Sequence, residues 1–255
     1  MIKFFRKIRQ NLILQNKTGK YFKYAVGEIV LVVIGILIAL SINNWNENQK
    51  NKSLENTYLE RLEEETKWNI KQLEYNISQY LESATELNNI IDYIEKGNKK
   101  SKFLKLNRPN YIHPWIIKSS TYNELVSTGD LKIIRDVPLR ELLDEANSFV
   151  YFSEQQLENW RRFAISHEQY FVPFKKNKKE IDKNNMTYYV TGLDYDKMME
   201  NSTMIELLKH WSLGNMVFYD GVTALQDHYK KILERLKCIK ENQKCKITSK
   251  DIIKN

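Results

Sequence analysis

Glycine and proline are scarce, eight and four in 255 residues. So few residues that supply positive φ or interrupt helices leave little material for the many tight turns of a β-sandwich or barrel. Cysteine is scarcer still, with only Cys238 and Cys245, which excludes a small disulfide-stapled scaffold and a cysteine-based zinc module. No glycine-rich phosphate loop, Gly-x-Ser-x-Gly turn or Cys-x-x-Cys pair occurs. These absences remove the commonest signatures of catalysis. No enzymatic activity is expected, no cofactor is implied and no catalytic residue can be assigned.

Acid is also missing from the first twenty-three residues, which hold seven positive charges: Lys3, Arg6, Lys7, Arg9, Lys17, Lys20 and Lys23. Directly after them, eighteen residues from Ala25 to Ile42 carry one charge, Glu28. A run of that length and apolarity matches the ~20 residues a helix needs to cross the hydrocarbon layer. Basic residues are retained on the cytoplasmic side, so the expected orientation has the N-terminus inside and the body translocated. Tyr21, Phe22 and Tyr24 before the run and Trp45 after it suit the two membrane–water interfaces. A cleaved signal peptide is the rival, with Ala39 and Ser41 as small residues before a cut, but signal cores are shorter, about 7–15 residues, and follow short leaders.

The net charge of +8 is almost wholly the leader's, leaving +1 for residues 24–255. The basic bias thus sits beside a membrane, where each Lys or Arg near anionic lipid contributes about 1 kcal/mol, and nucleic acid is not an expected partner. Lys3, Arg6, Lys7 and Arg9 are the candidate headgroup contacts. Phe4, Phe5, Ile8 and Leu12 recur among them at helical spacing, as in an amphipathic helix lying in the headgroup layer; a flexible topogenic tail is the alternative.

Beyond the span the pattern is helical. Leu73, Ile77, Tyr80, Ala84, Leu87, Ile91 and Ile94 alternate steps of four and three, the spacing that draws helices together along a seam. Leu59, Leu62, Thr66 and Ile70 extend it toward the span. Gly97-Asn98 ends this first helix, and residues 99–114 form a basic connection. A short helix is expected over 116–127, and a second long helix starts at Asp136 with Pro138 in its first turn. Its inner face runs Leu139, Leu142, Ala146, Phe149, Ser153, Gln156, Trp160, Phe163, His167 and Tyr170. Residues 175–201 read as a loop with a brief strand over 188–191. A third long helix begins near Ser202 and presents Ile205, Leu208, Trp211, Asn215, Phe218, Val222, Leu225, Tyr229, Ile232, Leu236 and Ile239.

The expected fold is therefore all-α: one transmembrane helix continuing into an elongated antiparallel bundle of three long helices and one short one. The organisation is a basic cytoplasmic tail over 1–23, a span over 24–44, a helical body over 45–240 and a flexible tail over 241–255.

Glu28 is a carboxylate within a span, by default a functional candidate for proton coupling or helix association, although one turn from the span's end it can snorkel or be protonated. Gly27, Gly35 and Ala39 share a face on which another helix could approach closely, or reflect the ordinary composition of membrane helices. Glu28 followed by Ile29 to Ile34 has the lettering of a type IV prepilin, but Lys23 stands where that pattern requires Gly. Cys238 and Cys245 would be ~10 Å apart along a continuous helix, so a bond between them requires the helix to break near Asn242; two free thiols or a bridge to another copy are the alternatives. His113, His167, His210 and His228 form no ligand spacing, and no metal is expected. The tryptophans read as core filling.

The opening from Met1 to Leu12, the run from Gly19 to Leu40, and the phrase Asn43-Asn44-Trp45-Asn46-Glu47 closely resemble the domain-of-unknown-function 6090 family. Tyr122-Asn123-Glu124-Leu125 with Ser127-Thr128-Gly129-Asp130-Leu131 resembles its second phrase, differing in Asp130 where Asn is expected. The resemblance implies an uncharacterised single-pass protein of the Gram-negative inner membrane with a helical periplasmic domain, and carries no activity or ligand. The leading expectation is a non-enzymatic envelope protein that presents its bundle for self-association or for a membrane or periplasmic protein partner. A sensory or solute-binding bundle and a channel or transport accessory subunit using Glu28 are the alternatives.

Overall fold

The computed structural model describes residues 18–96, 113–181, 183–184, 186–198 and 201–241. The leader contacts Lys3, Arg6, Lys7 and Arg9, the stop at Gly97, nearly all of the basic connection and the C-terminal tail lie outside the described residues. Five helices and one hairpin follow in order: α1 (Thr18–Lys96), α2 (Ser120–Thr128), α3 (Val137–His167), β1 (Lys175–Ile181), β2 (Thr187–Leu193), α4 (Tyr195–Met198) and α5 (Ser202–Lys240). The fold is all-α, as expected. Contacts divide the chain into residues 1–57 and 58–255, the boundary falling within α1.

In the first unit α1 is apolar and uncovered. Its most apolar stretch has a mean hydropathy of 2.7 and no buried residue, with Ile29, Leu31, Leu37 and Ile42 each more than half exposed. A helix that is apolar all round suits lipid rather than water. It is long and apolar enough to cross a membrane.

In the second unit α1 continues from Tyr58 as one wall of a core. Leu73, Tyr80, Leu87 and Ile90 are wholly buried, each side chain contributing about 1.5–3 kcal/mol. The seam that the heptad spacing predicts is closed by the chain's own α5. Tyr80 stacks on Phe218 at 5.8 Å, Ser212 donates to Asn88 at 2.7 Å, and Lys209 pairs with Glu95 at 2.8 Å. Near the other end of the pairing Lys240 meets Glu63, so the two helices are antiparallel.

Helix α3 lies antiparallel to α5 and is fastened at both ends. Asp136 caps α3 by accepting from the Leu139 N–H at 2.9 Å, and the same carboxylate accepts from Arg235 Nε at 2.9 Å and Nη2 at 2.7 Å. At the far end Trp160 sits 5.7 Å from Trp211 and lies on Gly214, where an added Cβ would fall 2.7 Å from the indole Cη2. Mid-helix glycine costs about 1 kcal/mol relative to alanine, and the close approach of Trp160 is its return. The buried face of α3 shifts along its length: Leu157 is buried and Gln156 is exposed, because 3.6-residue turns drift off a strict seven-residue repeat. The expected inner face stops short of Tyr170, which is exposed in a 3₁₀ helix over Glu168–Phe174.

Two local expectations are corrected, the start of the short helix and the loop over 175–201. The short helix starts at Ser120 rather than Ile116, and residues 113–119 are not helical. Asp130–Ile133 forms a 3₁₀ turn after the left-handed cap Gly129, φ 76°. The loop over 175–201 is mostly an antiparallel hairpin, with Lys175 opposite Leu193 and Ile181 opposite Thr187. A two-stranded ribbon pairs through its backbone, so β1, Lys-Lys-Asn-Lys-Lys-Glu-Ile, needs no apolar alternation to form.

Replacing Asp136 by Ala removes a cap and the carboxylate facing a nearly buried guanidinium, so stability should fall by roughly 3–5 kcal/mol. Urea denaturation of the micelle-solubilised chain measures it; Asp136→Ser, which keeps only the cap, should recover about 1 kcal/mol of the loss.

Candidate functional site

Polar side chains of α1 at Glu65, Asn69, Asn76 and Tyr80 fall four, seven and four residues apart, so they share one face. They hold the extended segment 113–119 and the start of α2 by its backbone. The Tyr80 hydroxyl donates to the His113 carbonyl at 2.5 Å and Asn76 Nδ2 to the Pro114 carbonyl at 3.1 Å. Asn69 bonds Lys118 twice, donating to its carbonyl and accepting from its N–H, both at 2.8 Å. Glu65 receives the Thr121 N–H at 3.1 Å, the Thr121 hydroxyl at 2.8 Å and the Ser120 hydroxyl, capping α2 from another helix. Lys118 also lies 4.4 Å over the Trp68 ring.

The second sequence phrase, 122–131, occupies the corner this ladder secures. Tyr122 and Leu125 are buried, and Tyr122 donates to Asp144 at 2.7 Å. Glu124 accepts from Arg61 at 2.6 Å and from Tyr58 at 3.3 Å, while Tyr58 also reaches Asp130 at 3.4 Å. The Ser127 and Thr128 hydroxyls return to the Glu124 carbonyl. Arg61 holds the Glu124 carboxyl below its usual range, whereas burial, then the two carboxylates, raises Tyr58. Each of these groups is spent on the corner's own geometry. A cavity of about 20 Å³ behind it, lined in part by Glu65, Asn69, Tyr122, Asn147 and Tyr229, has room for about one water.

Other expected residues are dispersed. Glu28 is half-buried and has a partner within the chain. Gly27 and Gly35 face open space and Ala39 is exposed. Cys238, in the last turn of α5, is disulfide-bonded, and Cys245 lies outside the described residues. His113 is half-buried, and burial lowers its pKa. His228 donates to the Leu142 carbonyl at 2.8 Å. Among the described residues no group of three or more His, Cys, Asp or Glu could hold a metal ion.

Two of the histidines share a neighbour, Phe163. His167 and His210 pack on Phe163 at 3.9 and 4.9 Å, and His210 lies 4.9 Å from Trp160. Gln156, Asn159, Trp160, Phe163 and His210 line an open-sided groove of about 170 Å³ between α3 and α5. The helical pattern places Trp160 and Phe163 in the core, and both do pack against it, partly buried, while also lining the groove. The available signal was the pair of amides one turn and one residue before Trp160, at positions where a fully buried face would be apolar.

A protein-family model matches residues 28–155, just over half the chain. The chain belongs to the family of unknown function DUF6090. No curated protein and no solved structure matches it. The DUF6090 segment contains the whole polar ladder and the corner phrase, and stops before Trp160 and all of α5.

Asn69→Ala deletes both bonds to Lys118, at about 1 kcal/mol each plus the cost of buried groups left unpaired. Hydrogen exchange read by mass spectrometry should show faster exchange across 115–121 and little change in α5. The Tyr122 phenol is pushed up to about 12, by burial and then by the Asp144 hydrogen bond. An unfolded phenol titrates near 10, so between these values the unfolded chain releases a proton that the folded chain keeps. Stability should therefore be full below pH 10 and fall as pH rises toward 12. Tyr122→Phe should flatten that decline in thermal melts, only partly, because burial also raises Tyr195 and Tyr229.

Proposed function

We propose that this DUF6090 protein is a single-pass inner-membrane protein, N-terminus cytoplasmic, whose folded unit outside that membrane binds another protein and performs no catalysis. The charge pattern supports the orientation: seven basic residues and no acid precede the apolar run, and the positive-inside bias retains such a leader. Anionic headgroups are the leader's partner.

The observation that carries the binding role is a stripe on the outer side of α5. Leu213, Met216 and Val217 follow one another at steps of three and one, share a helix face, and are 59%, 37% and 55% exposed. Large apolar side chains grouped on one face of a soluble unit mark a place where another surface docks. The heptad seam over 73–94 is already filled by α5, so the stripe rather than the seam is the surface proposed for a partner.

Photo-crosslinking from positions 213 and 217 in gently solubilised membranes tests this reading. Adducts to one discrete protein species are expected, and Leu213→Glu with Val217→Glu should reduce them at least about tenfold, a loss of ~1.4 kcal/mol, while leaving the helical circular-dichroism signal intact. Adducts that survive the double substitution, or none at all, overturn it; adducts to a second copy would identify the partner as the chain itself.

A further inference from the structure

The groove beside Trp160 has the makeup of a sugar-ring site. We propose that it binds one pyranose residue of a glycan chain, the ring stacked on the Trp160 aromatic system and its hydroxyls bonded by Gln156 and Asn159. The alternatives fail on geometry and charge. A cage for a quaternary ammonium needs aromatic faces standing apart, yet Trp160, Phe163 and His210 touch one another at centroid separations of 4.9 to 5.8 Å. A phosphate or carboxylate ligand needs a cation, and among the described residues no Lys or Arg lines the groove. Nearby Lys209 is engaged by Glu95 and Glu206, and Arg162 by Glu158.

What remains is an aromatic platform flanked by two exposed amides that make no side-chain hydrogen bond of their own among the described residues. Each amide offers both a donor and an acceptor, the complement of a hydroxyl that is also both. The electron-rich ring face attracts the polarised C–H bonds of a sugar's apolar side. The volume of about 170 Å³ lies below the ~300–1,000 Å³ of pockets that enclose drug-sized molecules. The open side lets a chain continue in both directions from the seated ring. Gly214 makes the platform possible, since any Cβ there would dislodge Trp160.

The test uses the full chain in phosphatidylcholine nanodiscs, avoiding glycoside detergents, with chitotetraose and maltotetraose as separate probes at millimolar concentration. Saturation-transfer NMR should show transfer into the carbon-bound ring protons of at least one. Losing each amide should weaken binding roughly fivefold, so Gln156→Ala with Asn159→Ala should nearly abolish the signal, as should Trp160→Ala. The two amides are exposed, so their removal leaves the fold intact, checked by the thermal melt. Absence of transfer to both sugars overturns the proposal, as does transfer that persists without the amides. Neither result bears on the stripe of α5, which is read from separate residues.

Discussion

The second unit depends on α1 acting as a polar template as well as an apolar wall. Three side chains on one of its faces, Asn69, Asn76 and Tyr80, read the backbone of a non-helical strap over residues 113–119, and Glu65 on the same face meets the start of α2. Peptide groups shielded from water and left unpaired cost about 1–3 kcal/mol each, so this partly exposed segment is held where another element supplies donors and acceptors in register. Asn69 does this most completely, matching both the carbonyl and the N–H of Lys118. Glu65 then converts the strap's end into a helix start by accepting from the Thr121 N–H and from the Ser120 and Thr121 hydroxyls, which also suits the positive end of α2.

From that anchor the corner follows. The strap delivers α2, Gly129 turns the chain in a left-handed conformation, and Asp136 begins α3 while holding Arg235 of α5. The phrase that resembles the family's is accordingly a piece of masonry: Tyr122, Glu124, Ser127, Thr128 and Gly129 each close a bond or a turn, as does the departing residue Asp130. Polar residues of this density would ordinarily suggest chemistry. Their partners assign them to architecture.

Long helices were legible in the sequence because apolar residues repeat at 3.6 over many turns and because Asp136 and Pro138 mark the start of α3. The strap was not, since its bonds come from Asn and Tyr side chains 33 to 49 residues away and leave no local periodicity. Ile116 and Ile117 look like the opening of a helix until Asn69 and Asn76 claim the backbone around them. The β1 strand escaped for a related reason, its lysines being uninformative when both faces meet water. The groove was half visible: its aromatics follow the helical pattern, but only the close approach over Gly214 leaves them at the surface beside two amides.

Chain order adds a constraint on synthesis. The apolar wall of α1 emerges first and the helix that covers it emerges last, with Asn88 and Ser212 separated by 124 residues and Glu63 and Lys240 by 177. At ~5–20 residues per second, the wall waits on the order of 6–35 s before its cover exists. During that interval Leu73, Leu87 and Ile90 have no native lid, and the strap, available earlier, can shelter only the neighbouring face. Newly made chains thus carry a transient sticky surface, and the ladder's early closure limits how much of it is bare.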